Sequence, residues 1–135
     1  MQVALVSPER ILYEGEADMV IARSAGGDIA FLNNHAPFVG VLGIGKVRIT
    51  PTGGGTEIVA AVHGGFVEVK DNRVTILSDV AELPDQVDAD RARAAKARAE
   101  EALRADSEDH AARAALQRAE TRLQVAEGRV SAGAH

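Results

Sequence analysis

The 135 residues suffice for one ordinary domain or two small ones, and a hydrophobic content of 46% supplies a core. Cysteine and tryptophan are absent and aromatics make up only 3%, which excludes disulfides, thiol nucleophiles and thiolate zinc sites and leaves the core to Val, Ile, Leu and Ala. The net charge of −5 lies wholly in the first part: through Asp85 there are 6 Lys+Arg against 11 Asp+Glu, and from Gln86 onward 9 against 9. An acidic excess of this kind argues against nucleic-acid binding. No basic start leads into an apolar run, and no stretch approaches ~20 apolar residues, so neither a secretion signal nor a membrane span is expected. The lack of cysteine fits a reducing compartment.

In chain order, the first eighty residues read as strands cut by turns. Val3, Leu5 and Ser7 open one alternation, and Ala17, Met19 and Ile21 form another. Val47 and Ile49 end a third at the turn Pro51-Thr52-Gly53-Gly54-Gly55. Ile58 to Val62 and Phe66 to Val69 follow, the latter closing on Lys70-Asp71-Asn72, and Val74, Ile76 and Leu77 make the last. Period-2 alternation with turn signals every ~8–12 residues predicts an antiparallel β-sandwich or barrel. Of the 13 glycines, 11 lie before residue 66, as turns and bulges require.

Pro84 marks a change of period. Beyond it the chain is rich in alanine, with no proline and no glycine until Gly128. Asp85 is the expected N-cap, with Asp88 complementing the first-turn N–H groups and the dipole. Ala92, Ala95, Ala99 and Ala102 recur at spacings of 3, 4 and 3. After the polar break Asp106-Ser107-Glu108-Asp109, Ala112, Leu116, Ala119, Leu123 and Ala126 recur at 4, 3, 4 and 3. Two amphipathic helices joined by a short turn form an antiparallel hairpin. The expected fold is therefore an N-terminal antiparallel β-sandwich over residues 1–84 and a helical hairpin over 85–130, with a frayed tail over 131–135. Burial of a methyl-sized group gains roughly 0.8 kcal/mol, against ~1.5–3 for Leu or Ile. A seam made mostly of alanine thus packs weakly, and a partner can peel it away or open it.

The candidate chemistry is sparse. Gly40-Val-Leu-Gly-Ile-Gly45-Lys46 meets the first seven positions of a P-loop, but Val47 stands where Ser or Thr must hold magnesium. Lys46 also leads into a strand alternation instead of a helix, so the segment reads as a tight turn between strands. Histidines 35, 63, 110 and 135 lack metal-ligand spacing; His35 reads as a structural loop residue, and His63, before Gly64-Gly65, as a bulge residue. No Ser-His-Asp order or isolated carboxylate pair points to catalysis. The hairpin arginines stand out. With partners across the seam summing to about 213, Arg91 lies beside Arg122, and Arg118 lies about one turn from Arg98 and Arg122. Their convergence near Asp88 suits an anion such as a nucleotide phosphate, or an acidic partner surface; a solvated helical face is the plainer alternative.

A resemblance joins these readings. Val6-Ser-Pro-Glu-Arg-Ile-Leu-Tyr-Glu-Gly15 with Ala17-Asp18, then His35-Ala36-Pro37, Leu42 with Gly45, and Gly64-Gly65-Phe66-Val67-Glu68-Val69 resemble the sandwich of the epsilon subunit of bacterial F-type ATP synthase. Val87-Asp88-Ala-Asp-Arg91-Ala92 and Ala115-Leu116-Gln-Arg118-Ala119-Glu-Thr-Arg122-Leu123 resemble its helices. The similarity spans essentially the whole chain in the right order. It implies a non-catalytic subunit with no required cofactor, whose sandwich holds the gamma subunit of the central stalk and sits on the ring of c subunits. It also implies a hairpin that folds against the sandwich, or extends into the catalytic alpha/beta head and restrains ATP hydrolysis. In some members the folded hairpin binds ATP through Ile or Leu, Asp, two residues, Arg, Ala. Here Val87 departs from that pattern by one methylene, Asp88, Arg91 and Ala92 keep it, and the remaining contacts fall on Glu82, Arg98, Arg118 and Arg122. A location on the cytoplasmic face of the bacterial plasma membrane follows, as a peripheral part of a membrane-bound complex.

An alternative from a different class is a stand-alone β-sandwich that binds a small ligand and carries an oligomerising helical tail. That reading expects a dimer through the seams, whereas the first expects a monomer in isolation.

Overall fold

The computed structural model describes the backbone of residues 1–134 and the side chains of residues 1–128. Seven strands run in chain order: β1 (Gln2–Ser7), β2 (Arg10–Ser24), β3 (Gly27–Leu32), β4 (Phe38–Pro51), β5 (Ile58–Lys70), β6 (Arg73–Leu77) and β7 (Ala81–Glu82). A single 3₁₀ turn, Pro84–Gln86, leads to helices α1 (Ala89–Ala105) and α2 (His110–Ala134).

The strands are ordered β1-β6-β5-β4-β2-β3, and β1 also pairs with β2, so the sheet closes on itself. The length of β2 makes closure possible. Its first half pairs with β1, from Arg10 opposite Ser7 to Glu16 opposite Gln2. Its second half pairs with β4 and β3. The strand thereby passes from one side of the sandwich to the other without ending. The inward row is apolar and β-branched, as a core without large aromatics requires: Val3, Leu5, Val20, Ile49, Val62, Val67, Val74 and Ile76 are buried. Phe31 is the largest fully buried side chain, with its ring centroid 5.6 Å from that of Phe38 and 5.1 Å from that of His35.

The structure corrects the sequence reading at four places. First, β1 and β6 are parallel, Val3 opposite Val74 and Leu5 opposite Ile76, while the other strand pairs are antiparallel. The N-terminal strand fills the gap between β2 and β6, and that position fixes its direction. Second, Gly40 to Lys46 lies inside β4 and forms no turn. Third, Asp85 sits in the 3₁₀ turn, and Asp88 is the N-cap of α1: its carboxylate accepts the Arg91 N–H at 3.0 Å. Fourth, α2 runs past residue 130 to Ala134, because no proline intervenes to stop it. His135, the end of the expected frayed tail, lies outside the described residues.

The hairpin packs along the expected seam. Ala92, Ala99, Ala112, Ala119, Leu123 and Ala126 are buried, and Ala95, Ala102 and Leu116 are half-buried. Asp109 caps α2 by accepting the Ala112 N–H at 2.9 Å. A second row on α2, Gln117, Thr121 and Val125 at i, i+4, i+8, meets the sandwich. Thr121 and Val125 are buried, and the Gln117 amide donates to the Ile44 carbonyl at 3.3 Å. The hairpin therefore rests on β4 and β5 through one face of α2, with α1 lying over α2.

A cleft at the joint of sandwich and hairpin

The chain passes from sheet to hairpin within a few residues, and that passage creates the site. Strand β7 pairs with β5, Glu82 opposite Ala61, and so fixes Glu82 at the sheet edge that faces α2. Pro84 then starts the 3₁₀ turn, and the Gln86 side chain accepts the Leu83 N–H at 2.9 Å, which holds the turn closed. Asp88 opens α1 two residues later, with Arg91, Ala92, Ala95 and Arg98 on consecutive turns of one face. Antiparallel packing brings Arg122 of α2 to the same place.

The result is a cavity of about 380 Å³ lined by Glu82, Gln86, Asp88, Arg91, Ala92, Ala95, Arg98 and Arg122. Its volume is in the range of small-molecule sites. Of the eight residues singled out in the sequence, Glu82, Asp88, Arg91, Ala92, Arg98 and Arg122 line it. Val87 does not; it ends the 3₁₀ turn, its N–H donating to the Pro84 carbonyl at 3.3 Å. Arg118 lies off the cavity, one turn before Arg122, and its charge acts on His63. Sequence reasoning missed Gln86, Ala95 and His63. Ala95 belongs to the same seam row as Ala92, so the periodicity carried a signal for it; Gln86 and His63 carried none.

The charges are unequal. Arg122 Nε donates to Glu82 Oε1 at 2.6 Å in a half-buried ion pair. The Asp88 carboxylate is engaged in capping. Among the described residues, neither Arg91 nor Arg98 pairs with a carboxylate. Two guanidinium groups without acids, beside a third held by one carboxylate, make a place for an anion with several oxygens. Behind Glu82 lies His63, with a side chain only 4% exposed. Its Nε2 is 3.2 Å from the same Glu82 Oε1, and its Nδ1 is buried without a hydrogen-bond partner among the described residues. Burial, and then the Arg122 guanidinium, hold the imidazole below its ordinary value of 6.5, against the pull of the Glu82 carboxylate. Among the described residues no cluster of His, Asp and Glu is placed to hold a metal. No described helix is long and apolar enough to cross a membrane.

Fold and cleft together define a two-part protein in which a helical hairpin rests on a closed β-sandwich and shares a cation-rich joint with it. The ATP synthase delta/epsilon chain β-sandwich domain matches residues 1–84, and the long α-helix domain of the same chain matches residues 85–127. The ATP synthase epsilon chain of Streptomyces coelicolor is 43% identical over 129 residues, covering 96% of this chain and 97% of its own length. That of Bacillus pumilus is 47% identical over 128 residues, covering 93% and 96%. The Brevibacillus brevis epsilon chain is 50% identical over 103 residues, covering 76% and 77%. A chain in the Euglena gracilis mitochondrial ATP synthase structure of OSCP, F1 and c-ring has the same fold, with a TM-score of 0.68 at 21% identity, covering 98% of this chain and 80% of that one. The chain belongs to the ATP synthase delta/epsilon chain family and, within it, is similar to the bacterial epsilon subunits, which are non-catalytic members of the complex.

Proposed function

We propose that the chain couples rotation of the central stalk to ATP synthesis and restrains ATP hydrolysis through its hairpin, which ATP holds closed. The observation that carries this reading is the cleft at the joint. Its walls come from β7, the 3₁₀ turn and both helices, so an anion bound there ties the hairpin to the sandwich. Glu82, Asp88, Arg91, Ala92, Arg98 and Arg122 would hold the nucleotide, with the unpaired arginines on its phosphates. When the hairpin opens, its released seam and arginines would meet an acidic surface of the catalytic alpha/beta head.

The outer face of the sandwich supports docking on the stalk. Ile11, Val6, Leu77, Phe66 and Val41 are neighbours in register across five strands and form one continuous row. Ile11, Leu77, Phe66 and Val41 are each between 52% and 66% exposed. An apolar row of this length on a folded domain marks an interaction surface, and the gamma subunit is its proposed occupant, with the c-ring at an end of the sandwich. The chain would then lie peripherally at the cytoplasmic face of the bacterial plasma membrane.

The test is calorimetric titration of the full chain with ATP, repeated on Arg91→Ala and Arg122→Ala. Saturable binding that both variants lose is expected. Absence of binding at millimolar ATP would remove the nucleotide role and leave the arginines as contacts for an acidic protein surface. Restraint of hydrolysis is tested separately, since removing residues 86–135 from the assembled complex should raise its ATPase rate.

A further inference from the structure

His63 takes no part in the apolar core, and the proposed function assigns it no role. Its geometry is unusual in one respect: a single oxygen, Glu82 Oε1, serves both its Nε2 and Arg122 Nε. A carboxylate oxygen only accepts, so the neutral ring carries its hydrogen on Nε2 and leaves Nδ1 as a bare, buried lone pair. Protonation would turn Nδ1 into a buried donor with no acceptor, which costs more than an unfilled lone pair. It would also place a third cation against Arg122 and Arg118, with Glu82 as the one carboxylate acting on the ring. Among the described residues, the charged groups that act on His63 are Glu82 from β7, and Arg118 and Arg122 from α2.

We propose that His63 is a proton-operated latch for the hairpin: while neutral it shares Glu82 with Arg122 and keeps α2 docked, and as an imidazolium it competes for that oxygen and repels both arginines of α2. The inference extends the proposed regulation and rests on the hairpin being releasable, but not on nucleotide binding. The sign follows from the docked environment. Docking holds the ring below 6.5, the released state restores the ordinary value, and so the released state binds more protons. Docking is therefore unaffected at alkaline pH and weakens as pH falls through 6.5, by at most about tenfold per pH unit. An anion in the cleft would offset the added charge, so ligand and proton should oppose one another.

The experiment uses the full chain, which has no cysteine of its own. Ala25→Cys in the β2–β3 turn and Glu120→Cys on α2 carry spin labels, and their distance distribution is measured without nucleotide from pH 8 to pH 5.5. The expected result is a progressive fall in the docked-to-released ratio in the parent chain below pH 6.5, bounded by about tenfold per pH unit. His63→Gln, which keeps an N–H donor but has no titratable ring, should stay flat over the same range. An unchanged distribution in the parent at pH 5.5, or a His63→Gln variant that follows the parental curve, overturns the latch. NMR titration of the His63 ring in the unlabelled parent is a second test, independent of the variant's folding: titration at or above 6.5 overturns the latch too. Because the pH series contains no nucleotide, a failure of ATP to bind leaves its outcome unaffected. Adding ATP to the labelled chain at pH 8 tests the nucleotide reading alone.

Discussion

The sandwich and the hairpin solve the same packing problem with opposite materials. The sandwich fills its interior with β-branched side chains and Phe31 and closes its sheet, so that removing any one strand opens the whole. The hairpin fills its seam with methyl groups and rests on the sandwich through a single row of one helix, Gln117, Thr121 and Val125. Burial per residue is larger in the first by a factor of about two to four. One part is thus built as a fixed platform and the other as an element whose contacts are individually small. The joint between them carries the charges: Arg122 on Glu82, Arg91 and Arg98 without an acidic partner among the described residues, and His63 beneath. Cohesion at the joint is electrostatic where cohesion elsewhere is apolar, and this difference makes the hairpin's position responsive to ions.

If that contrast holds, substitutions in the sandwich should act on the whole molecule. Phe31→Ala empties the largest fully buried site and should cost about 3–5 kcal/mol, read as a lower urea midpoint for every probe. Gly65→Ala comes next. Gly65 has φ of 135°, and a Cβ there would stand 2.1 Å from the Leu77 carbonyl oxygen, so β5 and β6 must part. A loss of roughly 2–3 kcal/mol is expected, again global. Val125→Ala should behave differently. It removes two buried methylene equivalents from the row that meets the sandwich, about 1–2 kcal/mol. Hydrogen exchange should then show helix amides losing protection while the strands keep theirs. Were helix and strand amides to lose protection together, the two parts would be one cooperative unit, and the case for a releasable hairpin would fall.

The same contrast explains what the sequence disclosed. The hairpin was legible because alanine at spacings of 3 and 4 has few other uses, and the polar break at Asp106 to Asp109 lies between α1 and α2. Antiparallel pairing then located the arginines, which is why six of the eight expected residues line one cleft. The sheet was less legible. The glycines between 40 and 46 read as a turn, but they lie within a strand, where Gly40 and Gly45 serve packing. A Cβ at Gly40 would meet the Phe38 ring at 2.7 Å, and one at Gly45 would meet the Arg23 side chain at 2.6 Å. Nothing local signals the parallel pairing of β1 with β6, because its cause is the gap left by distant strands. His63 stayed hidden for the same reason: its partners lie 19 and 59 positions away, on β7 and α2.

The smallest expected effect separates structure from charge at the cleft itself. Asp88 both caps α1 and lines the cavity, so its removal mixes two consequences. Asn caps a helix about as well as Asp, whereas Ala does not. Asp88→Ala should therefore cost about 1 kcal/mol and fray the first turn of α1, and Asp88→Asn should leave stability nearly unchanged. Both remove one negative charge from a cleft that faces Arg91, Arg98 and Arg122. A polyphosphate anion should bind Asp88→Asn more tightly than the parent if Asp88 acts there only as a cap and a neighbouring charge. Weaker binding of ATP by Asp88→Asn, against tighter binding of the polyphosphate and with α1 intact by circular dichroism, would mean that the carboxylate itself accepts a hydrogen bond from the nucleoside. The polyphosphate has no such donors and serves as the control.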